Sequence, residues 1–310
     1  MTASVFDLPA ARRTHAVRSA DGTLIHAEEY GPEAGTAPTV VLIHGWTCST
    51  LFWAPVLHEL AGEYRVVAYD QRGHGRSGTP RRGGYGTGAL ADDLGAVLEA
   101  VARGDEKVVL VGHSMGGMTA MAAGDRVAVR ARTAAVLLAS TGSGRLLAEA
   151  AVLPPWVRSK RVRDAFHRFL LVSSAPLGPP SAVTRAALKY GVLGAASNRE
   201  LVAATARIVH ACGRRQRAAW GRVLAGLDLD AGVGALRAPT AVLVGGADKL
   251  TPPVHAHGLA ARLSRFAGLT ELPGLGHMTP LEAPAAVAGV IRTLVEDHLR
   301  PGARVGEETP

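Results

Sequence analysis

The sequence predicts an α/β fold in which helices cover both faces of a mostly parallel, doubly wound sheet. Short runs rich in β-branched apolar residues alternate with longer stretches rich in alanine and leucine, a rhythm typical of successive βα units. The short runs are almost continuously apolar, as expected of parallel strands buried on both faces. With 310 residues, 47% of them hydrophobic, the chain is also long and apolar enough to bury a large core.

The predicted elements begin with an antiparallel hairpin. Residues 14–19 and 23–30 flank Asp21-Gly22, and this dipeptide is a strong signal for a tight turn between two strands. Near-continuous apolar runs then predict parallel strands, at residues 39–44, 64–69, 107–111, 134–139 and 240–244, followed by a short run at 269–272. The stretches between them predict helices, at residues 50–61, 88–102, 115–127, 253–263 and 280–298.

The alternation of strands and helices stops between residues 142 and 230. This segment has a helical pattern with no convincing strand, and it contains 14 basic residues against 5 acidic ones, a net charge of +9. Because the whole chain carries a net charge of +8, its excess positive charge belongs to this segment. We therefore expect a sheet domain at 14–141 and 231–300, a helical cap inserted at 142–230, and a disordered tail at 301–310.

The charge of the predicted cap has three interpretations. A solvated helix face that keeps the cap soluble is favoured, and the charge could also steer anionic substrates or membrane surfaces towards a pocket. Nucleic-acid binding is least favoured, because the segment has no recognition motif and no aromatic stacking platform. Large apolar residues are interleaved with the charges and predict an amphipathic face turned towards a hydrophobic pocket. They are Leu146, Leu147, Leu153, Trp156, Phe166, Phe169, Leu170 and Leu171.

A glycine-rich turn follows the predicted strand at 107–111. Its sequence, GHSMGG at 112–117, fits a nucleophile elbow, in which a serine occupies a strained and very tight strand-to-helix turn. Gly112 and Gly116 are the positions where such a turn leaves no room for a side chain. The turn would expose the Ser114 hydroxyl as a nucleophile and leave the Met115 amide at the start of a helix, where it could stabilise an oxyanion. The alternative is a glycine-rich turn with an incidental serine.

A serine nucleophile needs a base that a third group orients. Asp248 follows the predicted strand at 240–244, and His277 follows the run at 269–272. Because the carboxyl ends of parallel strands meet at one edge of a sheet, we expect both side chains to lie near Ser114. Taken singly, Asp248 could instead cap the following helix and His277 could hold a loop.

A second oxyanion donor is expected directly after the first parallel strand. The sequence there is HGWT at 44–47. The Trp46 amide is the favoured donor and the Thr47 amide the less favoured one. The Trp46 ring either lines an acyl pocket or packs in the core.

Five motifs occur in one order along the chain: HGW at 44–46, DQRGHGRS at 70–77, GHSMGG at 112–117, GGADKLTP at 245–252 and GLGHM at 274–278. In these motifs the chain resembles the α/β-hydrolase superfamily, in its serine esterase- and lipase-like branch with a helical cap, over about residues 14–299. The resemblance implies a mainly parallel sheet of eight strands. It also likens residues 70–77 to a structural turn, so architectural roles are expected for Asp70, Arg72 and His74.

For the site, the resemblance implies a catalytic triad of Ser114, Asp248 and His277. It further implies an oxyanion hole made by the amides of Trp46 and Met115. Each of these residues stands at a position that matches one of the family's motifs.

The residue at the nucleophile position separates the branches of this superfamily. Epoxide hydrolases and haloalkane dehalogenases resemble the chain but carry Asp where it has Ser114, and the epoxide branch uses two cap tyrosines, whereas residues 142–230 contain only Tyr190. The resemblance therefore implies hydrolysis of a carboxylic ester with an apolar acyl or alcohol part, through an acyl-enzyme intermediate. A thioesterase, a lactonase or another tailoring hydrolase is the alternative. A perhydrolase- or haloperoxidase-like enzyme, or a non-catalytic ligand-binding protein, is less favoured.

No cofactor and no metal site are predicted. The nearest histidine pair, His255 and His257, would diverge on a helix and lacks a third ligand, and the glycine-rich stretches fit no nucleotide-binding motif. The two cysteines, Cys48 and Cys212, are expected to be packed free thiols.

Location and partners follow from what the sequence lacks. It has no run of about 18 apolar residues that would span a membrane, and its first residues lack the apolar stretch of a signal peptide, so a cytoplasmic location is expected. The expected partner is a small hydrophobic ester, without nucleic acid and without stable insertion into a membrane. The oligomeric state is left open.

Overall fold

Eight β-strands form the centre of the computed structural model, which describes residues 4–153, 156–178 and 181–300. They are Arg13–Arg18 (β1), Leu24–Tyr30 (β2), Thr39–Ile43 (β3), Arg65–Tyr69 (β4), Val108–His113 (β5), Thr133–Ala139 (β6), Thr240–Gly245 (β7) and Phe266–Leu272 (β8). The strands build one sheet in the order β1-β2-β4-β3-β5-β6-β7-β8. The tail predicted at 301–310 lies outside the described residues.

The pairing within the sheet confirms the predicted mainly parallel arrangement and its antiparallel start. β1 pairs antiparallel with β2, and β2 pairs antiparallel with β4. All other neighbouring strands are parallel. Gly22, at the predicted hairpin turn, has a φ of 85°, a left-handed conformation that glycine adopts without strain.

A 3₁₀ turn at Thr50–Trp53 and thirteen α-helices complete the described part of the chain. The helices are Ala54–Leu60 (α1), Thr87–Val101 (α2), Met115–Ala122 (α3), Val127–Arg132 (α4), Leu146–Glu149 (α5), Lys160–Val172 (α6), Ala182–Val192 (α7), Arg199–Ala211 (α8), Arg214–Ala225 (α9), Asp230–Ala235 (α10), Pro253–Ala260 (α11), Thr279–Glu282 (α12) and Pro284–Leu299 (α13).

Two apolar cores lie on opposite faces of the sheet. In β3, Val41 and Ile43 enter one core, together with residues of α2 and α3. Val40 and Leu42 enter the other core, together with residues of α1 and α13. All four side chains are completely buried, because successive residues of a strand point to opposite faces. The continuous apolar pattern of the predicted strands therefore has the expected cause.

The helix predicted at 115–127 is wrong in its length. It ends after α3, and α4 begins only at Val127. Gly124 lies in the break and approaches the Gly232 carbonyl oxygen so closely that a Cβ would be 2.9 Å from it. A glycine weakens a helix and is a local signal for a break. The close approach to Gly232, more than 100 positions away, could not be predicted from the local sequence.

The helix predicted at 280–298 is divided into α12 and α13. The break is at Ala283, whose φ of −143° and ψ of 62° are not helical. Ala283 precedes Pro284, and the proline ring disfavours the helical conformation of the residue before it. The sequence contained the signal for this break.

Six helices, α5 to α10, lie between β6 and β7 in the chain. The first five, α5 to α9, lie within 142–230, where the sequence predicts a helical cap. No strand occurs in the described parts of this segment, although an isolated bridge pairs Gly144 with Asp228. On α9, the buried Trp220 donates a hydrogen bond of 3.0 Å from Nε1 to the Arg72 carbonyl oxygen, which fixes the segment to the sheet region. The division into core and cap domains, with its boundaries, stays a prediction.

The apolar residues of this segment do not all face inwards, in contrast to the predicted pocket-facing surface. Leu146 and Leu171 are partly buried against one of the two cores. Trp156, Phe169 and Leu170 are exposed. The amphipathic pattern alone does not tell on which side of a helix the rest of the protein lies, and here large apolar residues occupy both sides.

Candidate active site

Ser114 occupies the turn between β5 and α3 in a strained conformation. Its φ of 51° and ψ of −116° are rare for a residue with a side chain. A Cβ on Gly116 would overlap the Ile43 carbonyl group, 2.6 Å from its carbon, and a Cβ on Gly112 would lie 2.5 Å from the Gly116 carbonyl carbon. Both glycines are therefore required by close backbone contacts, for the steric reason that the sequence analysis assumed.

Asp248 follows β7 and uses its two carboxylate oxygens differently. Oδ1 accepts hydrogen bonds from the amides of Leu250 (2.8 Å) and Thr251 (2.9 Å). Oδ2 accepts from the Thr251 hydroxyl (2.9 Å) and from His277 Nδ1 (2.8 Å). Asp248 is buried, so solvent does not compete for these bonds. The alternative predicted for Asp248, a cap on the following helix, is not observed, because the N-cap of α11 is Pro252 and has no side-chain cap hydrogen bond. Asp248 instead binds amides of its own loop while it contacts His277.

His277 is held on three sides. Its Nδ1 binds Asp248, its amide donates to the Val192 carbonyl oxygen at 2.9 Å, and its carbonyl oxygen accepts from His113 Nε2 at 2.9 Å. His113 directly precedes Ser114, and the ring centroids of His113 and His277 are 5.0 Å apart. In the described structure neither His277 Nε2 nor Ser114 Oγ has a hydrogen-bond partner, so both atoms are available to a substrate.

His113 is a supporting residue that the sequence analysis did not select. It is buried against Phe52, with ring centroids 4.5 Å apart, and burial together with the neighbouring His277 keeps its pKa well below the ordinary value. The ring is therefore neutral and carries its proton on Nε2, where it donates to His277. Its Nδ1 has no partner in the described structure and faces Gly45, at which a Cβ would be 2.8 Å away.

Glu282 is a second residue that the sequence analysis missed. Its Oε2 accepts from the Gly194 amide at 2.6 Å, its Oε1 accepts from the Gly276 amide at 3.0 Å, and the Ser197 hydroxyl donates to Oε2 at 3.3 Å. Burial raises the pKa of Glu282 against the opposing effect of these donors. The carboxylate thus links the loop that carries His277 to the segment between α7 and α8. The only signal in the sequence is a glutamate five positions after His277.

The two amides predicted to hold an oxyanion belong to Trp46 and Met115. Neither the Trp46 nor the Met115 N–H has a hydrogen-bond partner among the described residues. The Thr47 amide, the less favoured donor, is already bound to His74 Nε2 at 3.3 Å. A Cβ on Gly45 would lie 3.1 Å from Ser114 Cβ, so the loop that precedes Trp46 touches the serine turn.

The Trp46 ring is anchored to the helical segment. Its Nε1 donates to the Arg217 carbonyl oxygen at 3.0 Å, and the ring packs against the core that contains Met115. Packing, one of the two roles considered for this ring, is therefore present.

The motif at 70–77 is buried and heavily bonded. Arg72 forms a two-pronged ion pair with Asp93, at 2.7 and 2.6 Å. Asp70 accepts from the Thr50 amide at 2.7 Å. Burial lowers the pKa of His74 to about 3, so its ring is neutral at physiological pH. These contacts agree with the expected architectural roles.

The remaining candidates take no part in this arrangement. Cys48 and Cys212 are free thiols, and burial raises the pKa of Cys212 to about 11, which keeps it protonated. His255 is buried, whereas His257 Nε2 lies 3.5 Å from a Glu271 carboxylate oxygen near the surface. Within residues 4–153, 156–178 and 181–300, no group of three metal-ligating side chains is found. No helix in these ranges is both long and apolar enough to cross a membrane.

Known proteins share both the sequence pattern and the fold. The protein named "Putative carbamate hydrolase RutD" from Variovorax paradoxus is 33% identical over 260 residues, which cover 82% of this chain and 89% of that protein. "Bifunctional esterase/perhydrolase DCH" from Acinetobacter calcoaceticus is 42% identical over 102 residues, which are 33% of this chain and 35% of that protein.

A solved structure with the same fold is that of the esterase RhEst1 from Rhodococcus sp. ECU1013. It matches with a TM-score of 0.74 at 23% identity, over 92% of this chain and 99% of that one. The profile of the alpha/beta hydrolase family matches residues 40–290, which is most of the chain. From this match and the extensive similarity to RutD, we conclude that the chain belongs to the α/β-hydrolase family.

Proposed function

We propose that the protein is a serine hydrolase that cleaves carboxylic esters with an apolar acyl or alcohol part. The observation that carries the proposal is the 2.8 Å hydrogen bond between His277 Nδ1 and Asp248 Oδ2, formed beside a serine on a strained turn. A histidine oriented in this way, with its other ring nitrogen available, is the base that a serine nucleophile requires.

In the proposed reaction, Ser114 Oγ attacks the ester carbonyl carbon while its proton passes to His277 Nε2. Asp248 keeps the other imidazole proton on Nδ1 and stabilises the imidazolium that forms. The amides of Trp46 and Met115 donate to the oxyanion of the tetrahedral intermediate. The imidazolium then protonates the leaving alcohol.

The second half of the reaction releases the acid. A water molecule gives a proton to His277 Nε2 and attacks the acyl carbon, and collapse of the second tetrahedral intermediate expels Ser114 Oγ, which recovers that proton. Every step uses side chains and amides of the chain itself, together with water.

Apolar surroundings of the two amides favour an apolar substrate. Trp46 packs against the core that includes Met115 and Met118, and Leu146 and Leu171 of the helical segment pack against the same core. Burial of an apolar acyl or alcohol group there contributes about 25 cal/mol per Å² of surface removed from water. We therefore expect binding to strengthen as the apolar part of the ester grows, until it fills the space.

The nucleophile is tested by labelling with a fluorophosphonate probe, which reacts with activated serines. Wild-type protein is expected to label and Ser114→Ala to remain unlabelled, while Ser174→Ala, which removes an exposed serine, labels like wild type. Folded wild-type protein that does not label would favour the non-catalytic ligand-binding alternative.

The bond that is cleaved is tested with a substrate panel. We expect p-nitrophenyl esters of increasing acyl length to give the highest kcat/KM, above acyl thioesters and lactones. Carbamates and peracid formation belong in the panel, because the names of RutD and DCH refer to these activities. A labelled Ser114 combined with preference for one of these other substrates would replace the ester assignment and keep the serine mechanism.

A further inference from the structure

The exposed large apolar side chains of this protein are concentrated in one part of the chain. Of the twelve in the described residues, seven lie between positions 156 and 190. Trp156 is 79% exposed, Phe169 61% and Val162 54%. Concentrations of exposed apolar groups mark interaction sites in soluble proteins. We call the outward side of α6, together with Trp156 four residues before the helix, the outer face.

The outer face is also strongly basic. Helix α6 contains four basic residues and one acidic residue, Asp164. Asp164 pairs with Lys160 at 2.8 Å. Arg161 and Arg168 are exposed, and in the described structure neither has an ion-pair partner. Their charges are therefore available to an external anion.

The geometry of α6 places apolar and basic side chains together on the solvent-exposed side of the helix. Val162 and Phe169 are seven residues apart, which puts them one above the other, and Arg161 and Arg168 flank them at the same spacing. The opposite side is held by the protein: His167 is buried and contacts the Leu147 carbonyl oxygen at 3.0 Å.

A second contact confirms which side of α6 faces inwards. On α9, a Cβ at Gly221 would lie 2.5 Å from the Leu171 carbonyl carbon, so α6 and α9 are in close backbone contact. The helix cannot rotate to bury Phe169 without breaking this contact.

We propose that the outer face adsorbs reversibly to anionic lipid surfaces. Tryptophan and phenylalanine side chains partition into the interface between lipid headgroups and acyl chains, and each basic residue close to an anionic surface strengthens adsorption several-fold. A nucleic acid would match the charges but leave the apolar side chains without partners. The adsorption needs no membrane-spanning helix and no stable insertion.

The outer face is connected to the candidate active site through α9. This helix packs against α6 at Gly221 and Leu171, and the carbonyl oxygen of its Arg217 accepts from Trp46 Nε1 at 3.0 Å. A protein adsorbed through the outer face would thus take up amphiphilic esters from the lipid surface; this substrate class rests on the proposed function, whereas the adsorption does not.

The adsorption is tested by co-sedimentation with vesicles, using Ser114→Ala so that lipid hydrolysis cannot interfere. Vesicles contain phosphatidylcholine alone or equal parts of phosphatidylcholine and phosphatidylglycerol. We expect binding to the anionic vesicles, weakening as salt is added, and much weaker binding to phosphatidylcholine. In the same background, Arg161→Gln with Arg168→Gln is expected to reduce the affinity about 30-fold, and Trp156→Ala with Phe169→Ala at least tenfold.

A control variant replaces one apolar residue and one arginine at another exposed site. Val127 is 78% exposed on α4, near the exposed Arg130, and Val127→Ala with Arg130→Gln is expected to bind like the parent. The proposal would be overturned if this control lost as much vesicle affinity as the outer-face variants, or if the outer-face variants bound like the parent. It would also be overturned if the parent did not bind anionic vesicles at low salt. A stable dimer in sedimentation velocity that Phe169→Ala dissociates would overturn it as well, because the outer face would then be covered by a second copy.

The adsorption assay and the activity assay fail independently. If outer-face variants of the otherwise wild-type protein lose vesicle binding but hydrolyse a dissolved p-nitrophenyl ester normally, the adsorption is supported whatever the natural substrate is. If Ser114 proves unreactive, the vesicle result still decides the adsorption proposal.

Discussion

Glu282 is expected to position His277 although it does not touch the histidine ring. Its carboxylate accepts from the amides of Gly194 and Gly276, and Gly276 directly precedes His277. Glu282→Ala would leave two partly buried amides without an acceptor, and each such loss costs about 1–3 kcal/mol. The free energy of unfolding should therefore fall by about 2–6 kcal/mol, with a large loss of kcat as the loop relaxes.

Glu282→Gln is the sharper variant, because it preserves shape. Oε2 lies 2.6 Å from the Gly194 amide and 3.1 Å from the Gly276 amide, so an amide oxygen in that place can accept from both. The side-chain amide nitrogen would then stand where Oε1 accepts from Gly276, which brings two donors together, and the remaining bonds lose the assistance of the charge. We expect a cost of about 1–2 kcal/mol and a fall in kcat of about tenfold with little change in KM.

The assay combines urea unfolding with p-nitrophenyl ester kinetics at a temperature where each variant is folded. Glu271→Gln is the control, since this exposed glutamate lies on the strand that leads into the same loop and should be neutral. If kcat of Glu282→Gln stays within twofold of wild type, or if KM rises while kcat is unchanged, Glu282 does not position His277 and the reasoning is refuted.

Three further outcomes follow from the geometry. Ser114→Gly removes the strain of a side chain at φ 51°. It should abolish ester turnover and raise the free energy of unfolding by about 1 kcal/mol. If urea unfolding shows that the variant is less stable than wild type, the turn is not strained. Gly116→Ala introduces an overlap with the Ile43 carbonyl group and should cost about 3 kcal/mol or more, and near-wild-type thermal stability would contradict the contact. Burial raises the pKa of Asp21, but hydrogen bonds from Thr23 and Arg72 lower it to about 2, below its ordinary 3.8. The stabilisation from Asp21 is therefore present above pH 3.8 and lost as the pH falls towards 2, and Asp21→Asn should flatten the stability curve in that window relative to wild type; identical curves would contradict the pKa shift.

The sequence predicted the strands well because their burial on both faces leaves a local record. A run such as VVLV is apolar without interruption, and this pattern indicates a strand that is buried on both faces. The buried centres of β3 to β7 fall where those runs occur. The residues of the candidate site could be predicted from the sequence for a related reason. Ser114 lies between glycines that backbone contacts require, and Asp248 and His277 each follow a recognisable apolar run.

What the sequence did not predict depends on contacts between distant residues. Glu282 acts through Gly194, and the end of α3 depends on the approach of Gly124 to Gly232. The side of α6 that faces solvent was also not readable, because large apolar residues lie on both sides and only packing against α9 shows which side is inside. The division of α12 from α13 could have been predicted from the sequence, because Pro284 disfavours the helical conformation of the residue before it.

The position of the helical segment between β6 and β7 has a consequence for the growing chain on the ribosome. Val136 of β6 pairs with Thr240 of β7, 104 residues later. At a translation rate of about 5–20 residues per second, this edge of β6 stays unpaired for roughly 5–20 s. An apolar strand with an open edge can recruit other chains during that interval. Premature association of nascent chains should therefore concentrate in the period when α5 to α9 are being synthesised, and translation pauses within that stretch should lower the yield of folded protein more than pauses after β8.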